Sequence, residues 1–518
     1  MIITLYDDSP LGHDKRAQGG DGNFEKSLDA IRQGAQARIP VTLSTFHRLP
    51  ELARFAAAIR GESLQKLPFF SPADEPKLLG GFEKHWRELH AAIGGRGITF
   101  GEIDPTLRKV LGDFDARANA ETQPNLLRLL GVLSDAVFIG PHTFHMDIAN
   151  ACNTNCTFCG LHSPLLIEPK TSMPGRRFTE GWKTGRRDWN EFTALVDDLH
   201  EIGCREDILF NGEGEPLTHP RASDMIRYIC GKDMKLTLFS NGLAITPDKA
   251  KLFVENDMNI LYWSLHAADA KTFHRMQPAR RPEDFGRMVE NMRELVRRKR
   301  TKNNKPYIIA AMVINVDNFG DCEKFMDLCV DIGVDSVRYQ IMHACSSTES
   351  LLIDKEQFEV VKKGLDRARL KAEKHGLEVV ANIDFQLRQS EKTYESPDVL
   401  SCEWSHDLYS RTGCLAGWFF ARSFCDGLTS FCCHDKILGS LKRTGFKELW
   451  FGDVYRRVRQ AAKAFDLAHN IDLSEAGCGG LLLGADCSCC GNYEFINKAF
   501  DDLNQLGWRK FMTRIPPG

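Results

Sequence analysis

From residue 143 to about residue 375 the sequence alternates short apolar runs with longer amphipathic stretches, and that alternation leaves few folds open. The strand candidates are 143–149, 208–210, 235–240, 260–265, 307–315 and 336–342. Helical periodicity follows them over 189–202, 222–230, 248–255, 283–299, 321–332 and 355–375. Strands separated by whole helices cannot pair as hairpins, so six such repeats predict parallel strands joined by crossovers, an open or partial barrel. In sheets of this kind ligands gather at the carboxyl ends of the strands. The residues just past each strand are therefore where function is expected.

The first strand runs into His145-Met146-Asp147-Ile148-Ala149-Asn150-Ala151-Cys152, and Cys156 and Cys159 follow three and two residues apart. Thiolates are soft ligands that select zinc, Cu(I) or iron–sulfur clusters. A structural zinc site or an electron-carrying 4Fe–4S cluster closes its shell with four protein ligands. Three thiols in one tight loop leave one iron open, where the amino and carboxylate groups of S-adenosylmethionine (AdoMet) could chelate. A zinc knob completed by His145 or His162 is the competing reading of the triplet alone.

Later strand ends add to the first. After the second comes Phe210-Asn211-Gly212-Glu213-Gly214-Glu215-Pro216; after the third, Ser240-Asn241-Gly242; after the fourth, Ser264-Leu265-His266, with Arg275 eleven residues past the serine. Glycines let a backbone come close to a ligand, and a carboxylate accepts from an ammonium. The ordered set resembles the radical S-adenosylmethionine superfamily over about 143–375. That resemblance implies an α/β core folded as a partial (β/α)6 TIM-like barrel, and a catalytic 4Fe–4S cluster on Cys152, Cys156 and Cys159. It also implies AdoMet as cofactor, cleaved reductively to a 5′-deoxyadenosyl radical that takes a hydrogen atom from substrate carbon. By the same resemblance Phe158 packs near the adenine. Gly212, Gly214 and Glu215 form the turn that grips the methionyl amino group, Asn241 lies in a matching turn, and Ser264 and Arg275 hold the ribose and carboxylate.

Nine of the 17 cysteines lie between Cys402 and Cys490. Cys414, twelve residues, Gly427, four residues, Cys432, then a long gap to Cys487-Ser488-Cys489-Cys490 resembles a C-terminal auxiliary-cluster module of the SPASM or twitch type. No cysteine follows Cys490, which favours the shorter twitch form with one auxiliary 4Fe–4S cluster. Its implied ligands are Cys414, Cys432, Cys487 and Cys490, with Cys489 able to replace Cys487. A four-cysteine zinc module has the same spacing. Because a loop-rich stretch has little core of its own, this region reads as held together by its metal.

Three domains are expected: 1–140, α/β or mainly helical and of unknown role; 141–380, the barrel; and 381–518, a small Cys-rich cluster-binding domain with a tail. The Gly19-Gly20-Asp21-Gly22 stretch reads as a flexible turn. Charge is balanced, 67 Lys+Arg against 70 Asp+Glu, so no nucleic-acid partner is expected. With no membrane span or signal peptide recognisable, the chain reads as cytoplasmic.

Some residues are harder to assign. His343 and Cys345 follow the sixth strand and are catalytic candidates at the barrel mouth, the Cys345 thiol as a hydrogen-atom donor, although a buried thiol is the plainer reading of Cys345. Cys204, Cys230, Cys322 and Cys329 fall in helical or core patterns. Arg176, Arg177, Lys183, Arg186 and Arg187 fill the loop after the triplet, where they would suit an acidic substrate or simply face solvent. The expected reaction is oxidation of a small molecule, with an electron donor such as flavodoxin or ferredoxin. Modification of a peptide (epimerisation, crosslinking or formylglycine formation) is the alternative, and a non-enzymatic iron–sulfur or zinc scaffold the remote one.

Overall fold

The computed structural model describes residues 2–5, 42–45, 69–70, 123–134, 137–166, 180–342, 347–380, 413–433, 436–463, 471–472, 482–483 and 492–505. His343, Cys345, Arg176, Arg177, Cys487, Cys489 and Cys490 lie outside them, as does the Gly19–Gly22 turn. Among the described residues no helix is long and apolar enough to cross a membrane.

Near the N-terminus β1 (Ile2–Leu5), β2 (Thr42–Thr45) and β3 (Phe69–Phe70) pair in parallel. Helix α1 (Gln123–Ser134) precedes the barrel and is tied to it by Arg128. That arginine is 2% exposed and donates to the Gly140 and Pro141 carbonyls and to both carboxylate oxygens of Glu206.

The six expected strands are all present, as β4 (Thr143–Met146), β5 (Asp207–Phe210), β6 (Leu236–Ser240), β7 (Ile260–Ser264), β8 (Tyr307–Ile314) and β9 (Ser336–Ile341). Each ends within three residues of its expected limits. They pair in parallel in chain order, and a short β10 (Glu378–Val379) adds to β9. The intervening helices are α3 (Trp189–Glu201), α4 (Ala222–Cys230), α5 (Pro247–Glu255), α7 (Pro282–Arg300), α8 (Cys322–Ile332) and α9 (Lys355–His375). Their starts follow local chemistry: Asp188 caps α3, Thr246 caps α5 ahead of Pro247, and Asp354 with Gln357 forms a capping box on α9. Two short helices lie outside the expected pattern, α2 (Glu180–Lys183) and α6 (Ala270–Met276). The core between sheet and helices is continuous, with Phe144, Phe192, Ile208, Leu238, Trp263, Met312 and Tyr339 fully buried. Cys204, Cys322 and Cys329 are part of it, as expected, and Cys230 packs at its edge.

The sheet does not end at β4. Strand β11 (Phe420–Ser423), more than 270 residues later, pairs in parallel along the outer edge of β4, with Phe420 opposite Thr143 and Ser423 opposite Met146. Strands β12 (Leu428–Ser430) and β13 (Ile437–Ser440) continue it antiparallel. Gly427, at φ +83°, turns the β11–β12 hairpin in a conformation glycine adopts freely. A short α10 (Ala416–Phe419) precedes the hairpin, and α11 (Phe446–Phe451) and α12 (Asp453–Lys463) follow it.

This part has more core than its sequence led us to expect. Trp418, Phe431, Phe446, Trp450 and Tyr455 are all at most 1% exposed. Phe446 packs edge-on against Phe144 of β4, centroids 4.8 Å apart, and the Trp450 indole N–H donates to the Ile139 carbonyl. Phe446, Trp450 and Tyr455 fall in a helical pattern legible over 446–461, whereas Trp418 and Phe431 sit in a Gly- and Cys-rich stretch with no period. They become a core only because the barrel edge supplies the opposite face.

Candidate functional site

All the strand-end motifs meet at one face, because parallel register sets the carboxyl ends of neighbouring strands side by side: Met146 opposite Phe210, Ser240 opposite Trp263, Ser264 opposite Ala311. The cysteine loop leaves β4 into the middle of this face and is held from two sides. On one, the Ala151 carbonyl accepts from the Glu215 N–H at 2.9 Å and from the Thr218 hydroxyl, and Asn241 Nδ2 donates to Asn153 Oδ1 at 2.7 Å. On the other, the Thr154 hydroxyl donates to Gln277 Oε1, the Thr157 N–H donates to the Met276 carbonyl, and Asn155 Oδ1 accepts from the Ala279 N–H. Residues between the cysteines are therefore fixed by the turns after β5 and β6 and by the end of α6.

None of the three cysteines is in a disulfide, and all three are half-buried. Burial pushes the Cys152 thiol up to about 11, with Glu215 and Cys159 adding to it. Cys156 is driven well above the ordinary thiol range by burial and by the two other cysteines. Three bare thiolates are thus disfavoured here, and a cationic iron core would remove the penalty. The Leu161 and His162 N–H groups already point at Cys159 Sγ, at 3.4 and 3.3 Å. Backbone N–H donors to sulfur are among the groups that set a cluster's potential. Among the described residues no three His, Cys, Asp or Glu side chains converge as on a single metal ion. What speaks for a cluster is the chemistry of this donor set.

The two glycines of the turn after β5 serve the protein's own packing. A Cβ on Gly214 would lie 2.4 Å from the Ala151 and Asn150 carbonyl oxygens. Gly212 has φ +144°, and a Cβ there would meet the Asp147 carboxylate at 2.4 Å. Gly214→Ala is therefore expected to push the cysteine loop out of place, at a cost of about 1–3 kcal/mol. Iron retained at the triplet should fall while circular dichroism stays native; wild-type iron content would mean that this turn does not set the loop.

Glu215 is buried, and its carboxylate accepts from the Ser240 hydroxyl at 2.9 Å, the Asn241 N–H at 2.8 Å and the Leu217 N–H at 3.2 Å. Burial outweighs these bonds and raises its pKa to about 6. It locks the β5 turn to the end of β6, and a carboxylate has room for one more donor. Asn241 is spent on Asn153 and on the Leu243 N–H.

On the far side of the mouth, Ser264 ends β7 half-buried. Arg275, on α6, is 46% exposed and pairs with the Asp317 carboxylate at 2.9 Å and with the Asp317 carbonyl. The Phe158 ring stands edge-on to His266, centroids 5.0 Å apart. His266, to which the strand-end pattern assigns no role, is the more constrained residue. It holds φ +62°, is nearly buried, and accepts from the Val313 N–H on Nδ1 at 3.2 Å. Burial lowers its pKa to about 4, so the ring is neutral with its proton on Nε2. Nearby, fully buried Asn315 leaves Nδ2 without a partner among the described residues. A bulky residue at positive φ at a strand end was beyond the reach of sequence pattern.

The loop after the triplet corrects one expectation. Arg187 does not face substrate: it is 1% exposed and donates to the carbonyls of Asp147, Ser423 and Phe424 and to the Glu191 carboxylate. Segment 185–187 folds back along 148–150, which carries the arginine inward. Lys183 and Arg186 are exposed. On the same loop Trp182 stacks on His162 and donates to Glu213 Oε2 at 2.7 Å, while His162 Nε2 lies 2.7 Å from the Glu213 carbonyl.

Beside the cysteine loop, β11 brings Arg422 to Asp147. The pair is buried, with Nη2 at 2.7 Å and Nε at 3.3 Å from the carboxylate, and His145 Nε2 lies 3.1 Å away. Arg422 also donates to the Cys433 carbonyl. Cys414 and Cys432 are both buried, at 5% and 4% exposed, on either side of the β11–β12 hairpin.

Residues 146–329 match the model of the Radical SAM superfamily. The chain is 23% identical over 201 residues to the tungsten-containing aldehyde ferredoxin oxidoreductase cofactor-modifying protein of Pyrococcus furiosus, covering 37% of this chain and 49% of that protein. It thus spans about half the length of that relative. To the AdoMet-dependent heme synthase of Methanosarcina barkeri it is 22% identical over 324 residues, 62% of this chain and 85% of the other. Among solved structures, Streptococcus suis SuiB bound to S-adenosylmethionine superposes with a TM-score of 0.44 at 11% identity, covering 69% of this chain and 72% of that one.

Proposed function

The chain belongs to the radical SAM superfamily, and on that premise we propose that it oxidises a small molecule in two one-electron steps. A hydrogen atom leaves substrate carbon for the adenosyl group of AdoMet. The substrate radical would then give up a proton and one electron; Cys414, Cys432, Cys487 and Cys490 would hold an auxiliary 4Fe–4S cluster able to take that electron. Bound to Cys152, Cys156 and Cys159, the catalytic 4Fe–4S cluster supplies the electron that breaks AdoMet into methionine and the 5′-deoxyadenosyl radical.

The chain's own residues orient that chemistry. Glu215 and the turn it locks receive the methionyl end, Ser264 and Arg275 flank the ribose and carboxylate, and Phe158 with His266 walls the adenosyl group. The observation that carries the reading is the continuous sheet. Strand β11, paired in register with β4, seats the C-terminal part on the same edge from which the cysteine loop departs. An electron acceptor there stands beside the barrel mouth on a rigid support. The two curated relatives are named for making heme and for modifying a cofactor, which supports a small-molecule substrate. An external reductant of the flavodoxin or ferredoxin kind would recharge the catalytic cluster.

The test is anaerobic reconstitution of the full chain and of Cys414→Ser/Cys432→Ser, with iron analysis and a 5′-deoxyadenosine assay under dithionite and AdoMet. The double variant should lose about four irons and still form 5′-deoxyadenosine. Adding a low-molecular-weight cell fraction should stimulate turnover of the native protein. Stimulation by a peptide fraction alone would move the reading to peptide modification, and zinc in place of iron would sink it.

A further inference from the structure

Among the described residues, Arg459 is a buried cation that meets no counter-charge. It lies on α12, is 2% exposed, and donates through Nε to the Gly417 carbonyl at 2.7 Å. Its guanidinium sits 4.2 Å from the Trp450 ring centre and 5.0 Å from that of Tyr455. Nη2 has no hydrogen-bond partner among the described residues. Burial pulls its pKa down to about 9, and the group opposing that fall is the Tyr455 phenol; no carboxylate contributes. Other buried arginines here are paired: Arg128 with Glu206, Arg187 with Glu191, Arg422 with Asp147. Aromatic faces recover part of the cost of burying a cation, but an unpaired one still calls for an anion.

The neighbourhood says which anion. Helix α12 runs against both cysteine segments. The Cys414 N–H donates to the Ala462 carbonyl at 2.8 Å, three residues beyond Arg459. One turn before it, the Tyr455 hydroxyl donates to the Ser430 carbonyl, two residues ahead of Cys432. Between them, a Cβ on Gly417 would meet Arg459 Cγ at 2.9 Å and the ring of Phe431, the residue preceding Cys432, at 3.3 Å. Arg459 thus packs against Gly417, where the segment after Cys414 meets Phe431, the neighbour of Cys432.

We propose that Arg459 is the counter-cation of the auxiliary 4Fe–4S cluster, neutralising part of its charge and holding its reduction potential high enough to accept the substrate's electron. The inference rests on the auxiliary cluster proposed above. Four thiolates bring more negative charge than the iron–sulfur core offsets, and the reduced state is more negative than the oxidised. A fixed cation therefore favours the reduced state, and net charge is one of the levers on such potentials.

The test isolates that cluster in full-length protein carrying alanine at positions 152, 156 and 159, reconstituted anaerobically and titrated redox-potentiometrically by electron paramagnetic resonance. Arg459→Lys, which keeps the charge, should titrate close to the parent. Arg459→Gln and Arg459→Met, which remove it, should titrate at lower potential while each binds about four irons. Should the methionine variant fail to fold, the glutamine variant carries the comparison. Equal potentials in the lysine and glutamine variants would overturn the proposal and leave Arg459 a packing residue. A parent that binds no iron would instead overturn the auxiliary cluster itself, a separately visible result.

Discussion

Replacement of Cys152, Cys156 and Cys159 by alanine is expected to abolish reductive cleavage of AdoMet and to remove about four irons per chain, without unfolding the barrel. The expectation of an intact fold comes from the way the loop is held. Its anchors are the Ala151 carbonyl, Asn153, Thr154, Asn155 and the Thr157 N–H, and none of them is a thiol. The cysteines contribute little packing of their own, because all three are half-buried. Each single replacement should be nearly as damaging as the triple, since only two thiolates would then be left to hold the cluster. Iron and sulfide analysis, circular dichroism and a 5′-deoxyadenosine assay under dithionite together decide the matter. Product from the fully substituted protein would mean that the catalytic cluster sits elsewhere, and the Cys-rich C-terminal part would become the first place to look.

Much of that site could be read before any coordinates. The barrel strands were legible because runs such as Ile208–Phe210 and Ile308–Val313 are apolar on both faces, which a sheet sandwiched between helices and its own interior demands. The cysteine spacing, the Gly212–Pro216 turn and the Ser264 strand end were legible because each is local, set within a few residues of a strand terminus. What escaped is non-local. Nothing in Phe420–Ser423 announces that its partner is β4, hundreds of residues upstream. Charge was the other blind spot. Arg187, Arg422 and Arg459 look like surface residues in a sequence, since arginine usually is one. They are buried because the seam between barrel and C-terminal part puts carbonyls, Asp147 and aromatic rings around them. The short α6 was missed because seven residues, Ala270–Met276, are too few to establish a helical period.

The seam itself yields the second large effect. Asp147 is completely buried; burial alone would raise its pKa, but Arg422 and His145 outweigh that and hold it at about 2. A carboxylate depressed in the folded state stabilises the fold above its ordinary titration range. That contribution is lost as the pH falls through about 4 toward about 2. From the depression it amounts to about 2 kcal/mol. Arg422→Met removes the partner and strands the charge, which costs more, about 3–5 kcal/mol for a broken buried pair. The variant should unfold at a clearly lower denaturant midpoint at neutral pH. Since Asp147 without its arginine feels mainly burial, its pKa should rise, and the gap between variant and native protein should narrow as acidification protonates it. Arg422→Met with Asp147→Asn should recover much of the loss, because no bare charge remains. Arg422→Met also loosens β11 from β4, so on the proposed electron-accepting role of the C-terminal part, substrate turnover should suffer more than AdoMet cleavage. A gap that stays constant from neutral pH down to about pH 4 would mean that Asp147 and Arg422 do not form the pair that closes this seam.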